Sequence, residues 1–195
     1  ENDSDASDIV CHLIEKGVDI NEQAQDGSSA LMRATLVNNF TTLKVLLDAG
    51  ADPGLVTEEH RLGALFLAAS RSIESVNILL AGGADPNIRN IVDATPIFEA
   101  IDEDNLEIVR ALVEAGADVN QEHQSSSEED RVAGTFGGGK PMNPFDFAVR
   151  LERKEIQDYL LTKGAKHSPG QTEVEISFGN EEKTESESLY DPREI

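Results

Sequence analysis

The chain has 195 residues, which is enough for one sizeable domain, and its 38 acidic and 16 basic side chains give a formal net charge of −22. A surface this negative repels phosphate backbones and anionic lipids, so we expect neither nucleic acid nor a membrane as a partner. The single cysteine excludes an internal disulfide, and the longest apolar run, residues 62–69, is far too short to span a bilayer.

A repeat that ends in glycine runs along the chain. Gly17, Gly50, Gly83 and Gly116 each follow an apolar stretch and are spaced 33 residues apart. A fifth glycine, Gly164, follows Gly116 by 48 residues, which is one period of 33 plus 15. A fixed period of this length predicts a solenoid of stacked structural units.

Two predicted helices make up each unit. The longer second helix carries apolar residues at i, i+1, i+4 and i+5, and the following glycine ends it by adopting a positive φ. A shorter first helix precedes it in the last four units, and Pro96 and Pro144 suit the start of such a helix. The predicted second helices are 9–14, 43–47, 76–80, 108–113 and 156–161, and the predicted first helices are 30–34, 64–69, 96–100 and 144–148.

These features resemble the ankyrin-repeat family. Thr95-Pro-Ile-Phe98 is similar to that family's T-P-L-H helix opener, and the Gly-Ala-Asp-x-Asn turns match its loop from helix to finger. The aspartates of these turns (Asp19, Asp52, Asp85 and Asp118) are expected to accept hydrogen bonds from local backbone. The resemblance covers roughly residues 5 to 167. It implies an all-α solenoid of about five stacked helix-turn-helix units with short finger loops and an acidic C-terminal tail.

The sequence departs from the family pattern at several points. The openers Ser29–Met32, Gly63–Phe66 and Asn143–Asp146 lack the threonine and histidine of the consensus, so we expect that hydrogen-bond arrangement to be missing. The third repeat gains a residue near His60 and loses one between Ser72 and Ile73. We therefore expect slightly irregular fingers and a lower stability than that of an idealised array.

The periods divide the chain into seven segments. They are a truncated first repeat (1–25), three repeats (26–58, 59–91 and 92–120), an inserted acidic and glycine-rich loop (121–140), a last capping repeat (141–167) and an acidic tail (168–195). The first repeat supplies only its second helix, beginning near Asp5, which leaves apolar surface uncovered. We expect that the natural protein extends further N-terminally, or that the tail covers this end.

The inserted loop and the tail each allow two interpretations. The loop either contacts a partner or is a tolerated insertion. The tail is either disordered or, through Val174, Ile176 and Phe178, adds a strand to a sheet edge or docks along the solenoid. The stretch Gly134–Pro141 (GTFGGGKP) is similar to a phosphate-binding loop, but Pro141 replaces the hydroxyl residue that such a loop needs after its lysine. A nucleotide-binding enzyme using Gly134–Lys140 is therefore the weakest hypothesis.

Catalytic chemistry finds little support in the sequence. The four histidines lie in different repeats without i, i+4 pairing, and one cysteine cannot build a zinc cage. Cys11 has no neighbouring base with a group to orient it. We therefore predict a non-enzymatic protein with no catalytic residue, no metal site and no cofactor.

The family resemblance implies that partners contact the fingertips and the exposed side of the first helices. Its register maps tip positions onto Gln25, Asp26 and Ala94 and selects ten candidate contact residues, which are Leu36, Val37, His60, Leu62, Arg71, Ile91, Val92, Asp102, Glu103 and Arg150. Apolar residues at solvent positions, rimmed by acids, are typical of a protein-binding surface. The alternative is that Ile91 and Val92 pack within an irregular finger or lie beneath the inserted loop.

The leading hypothesis is a monomeric module that binds a protein partner with a basic surface patch through its concave ankyrin surface. A narrower version is an inhibitor or immunity-type protein that blocks the active site of a toxin or enzyme. Another alternative is the ankyrin segment of a larger effector or scaffold. The lone cysteine is compatible with the cytoplasm, and a leader ahead of Glu1 would indicate secretion instead.

Overall fold

A computed structural model describes residues 2–123 and 142–168 of the chain. Within these two ranges it contains nine α-helices and no strand, which confirms the predicted all-α repeat architecture. The helices are α1 (Asn2–Glu15), α2 (Ala30–Leu36), α3 (Phe40–Asp48), α4 (Ala64–Ala69), α5 (Ile73–Ala81), α6 (Pro96–Asp102), α7 (Leu106–Glu114), α8 (Pro144–Arg150) and α9 (Lys154–Thr162). They belong to two compact units, Glu1–Asp118 with α1 to α7 and Val119–Ile195 with α8 and α9.

Side-chain caps fix where the helices begin. Ser29 accepts the Met32 N–H at the start of α2, and Asn39, Ser72 and Asn105 cap α3, α5 and α7 in the same way. The N-terminal turns of α6 and α8 contain Pro96 and Pro144, as predicted. The first helices are six or seven residues long, and a second helix begins four residues after the end of each of them.

The repeat glycines end the second helices as predicted. Gly17, Gly50, Gly83, Gly116 and Gly164 have positive φ angles between 80° and 101°. A left-handed backbone at this position turns the chain away from the helix axis, and glycine adopts it without steric cost. In the turns that follow, Asp19, Asp52 and Asp85 each accept the N–H two residues on at 2.8–2.9 Å, as predicted for these aspartates.

Apolar packing within each unit holds the helices together. In the first unit each first helix packs on the second helix of its own repeat, and equivalent helices of successive repeats pack on one another. Leu43, Leu79 and Phe98 have no exposed surface in this core, and in the second unit Leu160 of α9 is equally buried. Each such side chain stabilises the fold by about 1.5–3 kcal/mol relative to its exposed state.

Asparagine side chains link successive repeats at the Gly-x-Asp turns. Asn21 donates to the Gly50 carbonyl at 3.5 Å and accepts the Asp52 N–H at 2.7 Å. Asn87 makes the same two bonds to Gly116 and Asp118, at 3.0 and 2.8 Å. In the second unit Asn120 bonds Gly164 and Lys166 in the same way. We call each such asparagine an inter-repeat staple; the second repeat has Gly54 at this position.

The predicted irregularity of the third repeat is confirmed. The fingers at 24–28 and 90–94 close with an N–H to carbonyl bond over four residues, whereas Thr57 bonds Leu62 over five, so this finger is one residue longer. The turns between first and second helices contain Asn38, Asp104 or Glu152 with positive φ, but the turn between α4 and α5 has no such residue. The gain in the finger and the loss of one residue between the starts of α4 and α5 cancel, and the second helices keep their spacing.

Helix α1 differs from the sequence-based expectation. It begins at Asn2 rather than near Asp5, so it is 14 residues long where the other second helices have nine. The predictions on the inserted loop, the Gly134–Pro141 stretch and the acidic tail concern residues 124–141 and 169–195, outside the described residues.

Candidate protein-binding surface

The predicted contact residues of the first unit lie on its three fingertips and at the ends of its first helices. We call this set the recognition surface; it comprises the fingers 24–28, 57–62 and 90–94 and the C-terminal ends of α2, α4 and α6. Five backbone positions of the described chain have positive φ without being glycine, and two of them, Arg61 and Asp93, close these fingers. The tips are therefore defined turns, each held by identifiable hydrogen bonds.

The third finger presents an apolar tip. The side chain of Asn90 accepts the N–H groups of Val92 and Ala94, both at 3.0 Å, and thereby holds the turn from within. Ile91 is 59% exposed at the corner, Val92 is half-buried, and Ala94 is fully buried. The interpretation that Ile91 packs inside the finger is wrong, because its side chain points to solvent, and the placement of Ala94 at the tip surface is also wrong.

The second finger supports the third. The Thr57 hydroxyl accepts the Leu62 N–H at 3.1 Å, which closes the longer turn from its base. The extra residue carries the His60 carbonyl to the third finger, where it accepts the Ile91 N–H at 3.2 Å. The His60 side chain remains exposed beside Glu59, and Leu62 is half-buried at the root of the turn. This bond fixes the backbone of Ile91.

Hydrogen bonds and an ion pair to Asp26 hold the first finger. Asp26 accepts the Ser28 N–H and hydroxyl at 3.0 and 2.6 Å, and the Arg33 guanidinium of α2 contacts its second oxygen at 2.6 Å. The hydrogen bonds from Ser28, and secondarily the charge of Arg33, lower the pKa of Asp26. The sequence placed Asp26 at this tip but did not identify Arg33 as its partner. The position of Arg33, one turn into α2, was the signal that could have indicated this ion pair.

The exposed side chains at the ends of the first helices are apolar in one repeat, basic in the next and acidic in the one after. Val37, directly after α2, is 73% exposed, and Leu36 is half-buried beside it. Arg71 stands exposed after α4, and Asp102 and Glu103 stand exposed at the end of α6. The recognition surface therefore has an apolar position in its second repeat and an acidic end in its fourth.

Glu99 belongs to the acidic end and was missed by sequence reasoning. It lies three and four residues before Asp102 and Glu103, a spacing that places all three on one helix face. Partial burial, and then the charges of Asp102 and Glu103, raise the pKa of Glu99 above its ordinary value. The ionised form of Glu99 is therefore held in an unfavourable environment that a neighbouring cation would improve.

Arg150, the tenth predicted contact residue, lies at the end of α8 in the second unit. It is half-buried, and burial lowers the pKa of its guanidinium. It is therefore less accessible than Arg71, and its role as a contact residue stays a prediction.

The last repeat contains a buried polar cluster that the sequence did not reveal. The fully buried Asp146 accepts the Ser168 N–H at 2.7 Å and lies 2.6 Å from the His167 ring nitrogen. The Asn143 side chain caps α8 by accepting the Asp146 N–H and donates to the Lys166 carbonyl, and the Asn143 backbone N–H donates to the Ser168 hydroxyl oxygen. This cluster ties the end of the described chain to α8.

Two absences hold for residues 2–123 and 142–168. No group of three histidine, cysteine, aspartate or glutamate side chains in these ranges could hold a metal ion. No helix there has both the length and the apolar character needed to cross a bilayer.

Comparison with known proteins identifies the family. A family model described as ankyrin repeats in three copies matches residues 2–90, and a single ankyrin-repeat model matches residues 93–124. The chain belongs to the ankyrin-repeat family. The family resemblance predicted from the Gly-x-Asp turns is therefore confirmed. Ankyrin repeats generally mediate protein–protein interactions and are generally non-catalytic.

Individual relatives of this ankyrin-repeat chain are longer proteins. The putative ankyrin repeat protein FPV031 of fowlpox virus is 31% identical over 80% of the chain, which spans 43% of that relative. The putative ankyrin repeat protein FPV222 of the same virus is 29% identical over 67% of the chain, and the matched part is 17% of that relative's length. A bovine mitochondrial disaggregase is 37% identical over 59% of the chain, and the matched part is again 17% of that relative's length. The chain thus covers less than half of these relatives.

Proposed function

We propose that this ankyrin-repeat chain is a non-catalytic module that binds a protein partner with a basic surface patch through its recognition surface. The observation that carries the proposal is the exposure of Ile91, at 59%, on a turn held by the Asn90 side chain and by the bond from the Ile91 N–H to the His60 carbonyl. Turn corners are ordinarily polar, because no packing rewards an apolar side chain there. An exposed isoleucine on a rigid tip loses little entropy when a partner covers it.

Charge supports a basic partner. Glu99, Asp102 and Glu103 form the acidic end of the recognition surface, and the raised pKa of Glu99 reflects partial burial and the repulsion of its two neighbours. A lysine or arginine of a partner placed there would relieve that repulsion. The net charge of −22 would also accelerate encounter with a basic protein in a salt-dependent way.

The test replaces apolar surface residues by aspartate and compares them with a matched position. Ile91→Asp and Val37→Asp change exposed side chains of the recognition surface, and Leu161→Asp changes a side chain of α9 with a similar exposure of 51%. A photocrosslinking residue at position 91 captures the partner for identification, and the affinity of each variant is then measured by calorimetry. A crosslinker at position 161 serves as the control for nonspecific capture.

We expect Ile91→Asp to weaken binding roughly tenfold to a hundredfold, since a buried isoleucine contributes about 1.5–3 kcal/mol. Leu161→Asp should leave the affinity unchanged, and all three variants should keep the wild-type Tm to within a few degrees because the replaced side chains are exposed. Equal losses for Ile91→Asp and Leu161→Asp, or crosslinks at position 161 alone, would refute the proposed surface.

The narrower inhibitor hypothesis is supported by charge alone. An inhibitor of a basic active site would associate with its target at a rate that falls steeply as salt rises. A stopped-flow series from 50 to 500 mM salt measures this rate. An association rate that does not change with salt would remove the argument for a basic site.

A further inference from the structure

The exposed residues at the ends of the first helices form a row along the first unit. Helices α2, α4 and α6 begin at residues 30, 64 and 96, so residues 37, 71 and 103 all lie seven residues after a helix start. These residues are Val37, Arg71 and Glu103, and all three are exposed. We call them the helix-end row. One structural position thus carries a different side chain in each of three successive repeats.

Helix packing sets the spacing of the helix-end row. Helix α2 packs on α4, and α4 packs on α6. The axes of helices packed side by side are about 8–10 Å apart. Neighbouring positions of the row are therefore separated by about 8–10 Å, and the whole row is about 16–20 Å long.

The row is apolar at one end, basic in the middle and acidic at the other end. Val37 is 73% exposed. Arg71 forms no ion pair with the residues that the structure describes, whereas Arg33 is engaged by Asp26 at 2.6 Å. Glu103 lies four residues after Glu99 on the same face of α6. The positive charge of Arg71 thus interrupts a surface whose fourth repeat is acidic.

The spacing of the row selects the conformation of a segment that follows it. In a polyproline II segment every third residue faces the same side, at intervals of about 9.3 Å. On one face of a β-strand side chains recur at about 6.6 Å, and in an α-helix residues i and i+7 share a face at about 10.5 Å. Of these three intervals, only that of polyproline II lies within the spacing of the row.

Building on the proposed protein-binding function, we propose that the helix-end row binds a polyproline II segment of the partner in which an apolar, an acidic and a basic residue are spaced three positions apart. The apolar residue packs on Val37, the acidic residue pairs with Arg71, and the basic residue pairs with Glu103. A uniformly basic segment, which the net charge of −22 alone would favour, is selected against because it places a cation opposite Arg71.

Labelled peptides of identical composition test the order of these residues. The matched peptide is LPPEPPK and the permuted peptide is LPPKPPE, and their prolines favour polyproline II. Both are acetylated and amidated, and each is also made in reversed order so that both chain directions are covered. Fluorescence anisotropy with the full chain measures the dissociation constants. We expect the better matched peptide to bind roughly tenfold more tightly than either permuted one, because permutation places like charges opposite one another.

Charge reversal in the chain tests the central contact. Arg71→Glu should weaken binding of the matched peptide roughly threefold to tenfold and should strengthen binding of a third peptide, LPPKPPK. Lys44→Glu is the matched control, because it makes the same change in net charge at an exposed position of α3 outside the row. The control should keep the wild-type preference for the matched peptide.

Equal affinities for the matched and permuted peptides, or no detectable binding of either, overturn the proposal. Equal losses for Arg71→Glu and Lys44→Glu also overturn it, because they reduce the contact to net charge. The recognition surface is tested separately, by crosslinks at position 91 and by Ile91→Asp. If those succeed while the peptides fail, the proposed function stands and the assigned segment is wrong.

Discussion

Gly54→Asn should strengthen the boundary between the second and third repeats by supplying the inter-repeat staple that this boundary lacks. The Gly54 N–H donates to Asp52 at 2.8 Å, as the staple residues Asn21 and Asn87 do to Asp19 and Asp85 at 2.9 and 2.8 Å. An asparagine at position 54 would therefore inherit the same local turn. Its side chain would then reach the Gly83 carbonyl and the Asp85 N–H, which lie 29 and 31 residues on. Asn87 reaches the corresponding groups of Gly116 and Asp118 in the same way.

The expected gain in stability has two sources, the hydrogen bonds formed by the new asparagine and the conformational freedom that the unfolded chain loses with the glycine. Two solvent-accessible hydrogen bonds contribute about 1–2 kcal/mol together, at the low end of the usual range because water competes for them. Replacing glycine adds roughly 0.4–1 kcal/mol by restricting the unfolded chain, since Gly54 does not adopt a positive φ. A Cβ at this position would lie 3.1 Å from an Asp52 oxygen, and the equivalent turns at Asp19 and Asp85 accommodate the Cβ of Asn21 and Asn87 with the same hydrogen bond.

Gly54→Ala separates the two contributions, because alanine restricts the unfolded chain but cannot form the staple. At about 2–4 °C per kcal/mol, we expect a rise in Tm of about 1–4 °C for Gly54→Ala and a further rise of about 2–8 °C for Gly54→Asn. Calorimetry and urea unfolding measure both. Asn87→Ala, which deletes an existing staple, should lower the Tm by an amount similar to that second step. The reasoning fails if Gly54→Asn is no more stable than Gly54→Ala while Asn87→Ala is destabilising.

Two further predictions concern carboxylates. Because the pKa of Glu99 is raised in the folded state, its ionised form opposes folding above that pKa, and the cost disappears as pH falls through it. Glu99→Gln should therefore raise the Tm at pH 7, with a gain that shrinks on acidification; a gain independent of pH would contradict the assignment. Asp146→Ala removes the buried acceptor of Ser168 and His167 and should cost about 2–3 kcal/mol, or roughly 4–12 °C in Tm. The exposed Asp158→Ala is its control, and equal Tm values for the two variants would show that the buried cluster contributes nothing.

The fold was predictable because its determinants are local and repeated. A glycine with positive φ and an apolar stripe recur in every unit, and neither depends on distant contacts. Even the extra residue near His60 and the missing one before Ile73 could be counted from the period. The start of α1 was not predictable in this way, because the register alone implies an inter-helix turn at residues that the structure shows as helix.

The candidate site was only partly predictable. The family register identified Ile91 and Val37 as solvent positions, and both are exposed. It could not show that Ala94 is buried, since this depends on how Asn90 folds the finger over it. The contacts of Asp146 with His167, 21 residues apart, had no periodic counterpart in the other repeats, and a contact without a pattern leaves no signal in one sequence.

The longer second finger has a consequence for how such proteins diversify. Its additional residue is offset by one residue fewer between the starts of α4 and α5, so the second helices keep their 33-residue spacing and their buried contacts. The length of a fingertip can therefore vary independently of the scaffold, provided that the adjoining turn changes in the opposite sense. A library that inserts one residue into the finger 24–28 or 90–94 and deletes one between the first and second helices that follow would lengthen that finger while preserving the stack. In this fold, recognition can be adjusted by chain length as well as by side-chain identity.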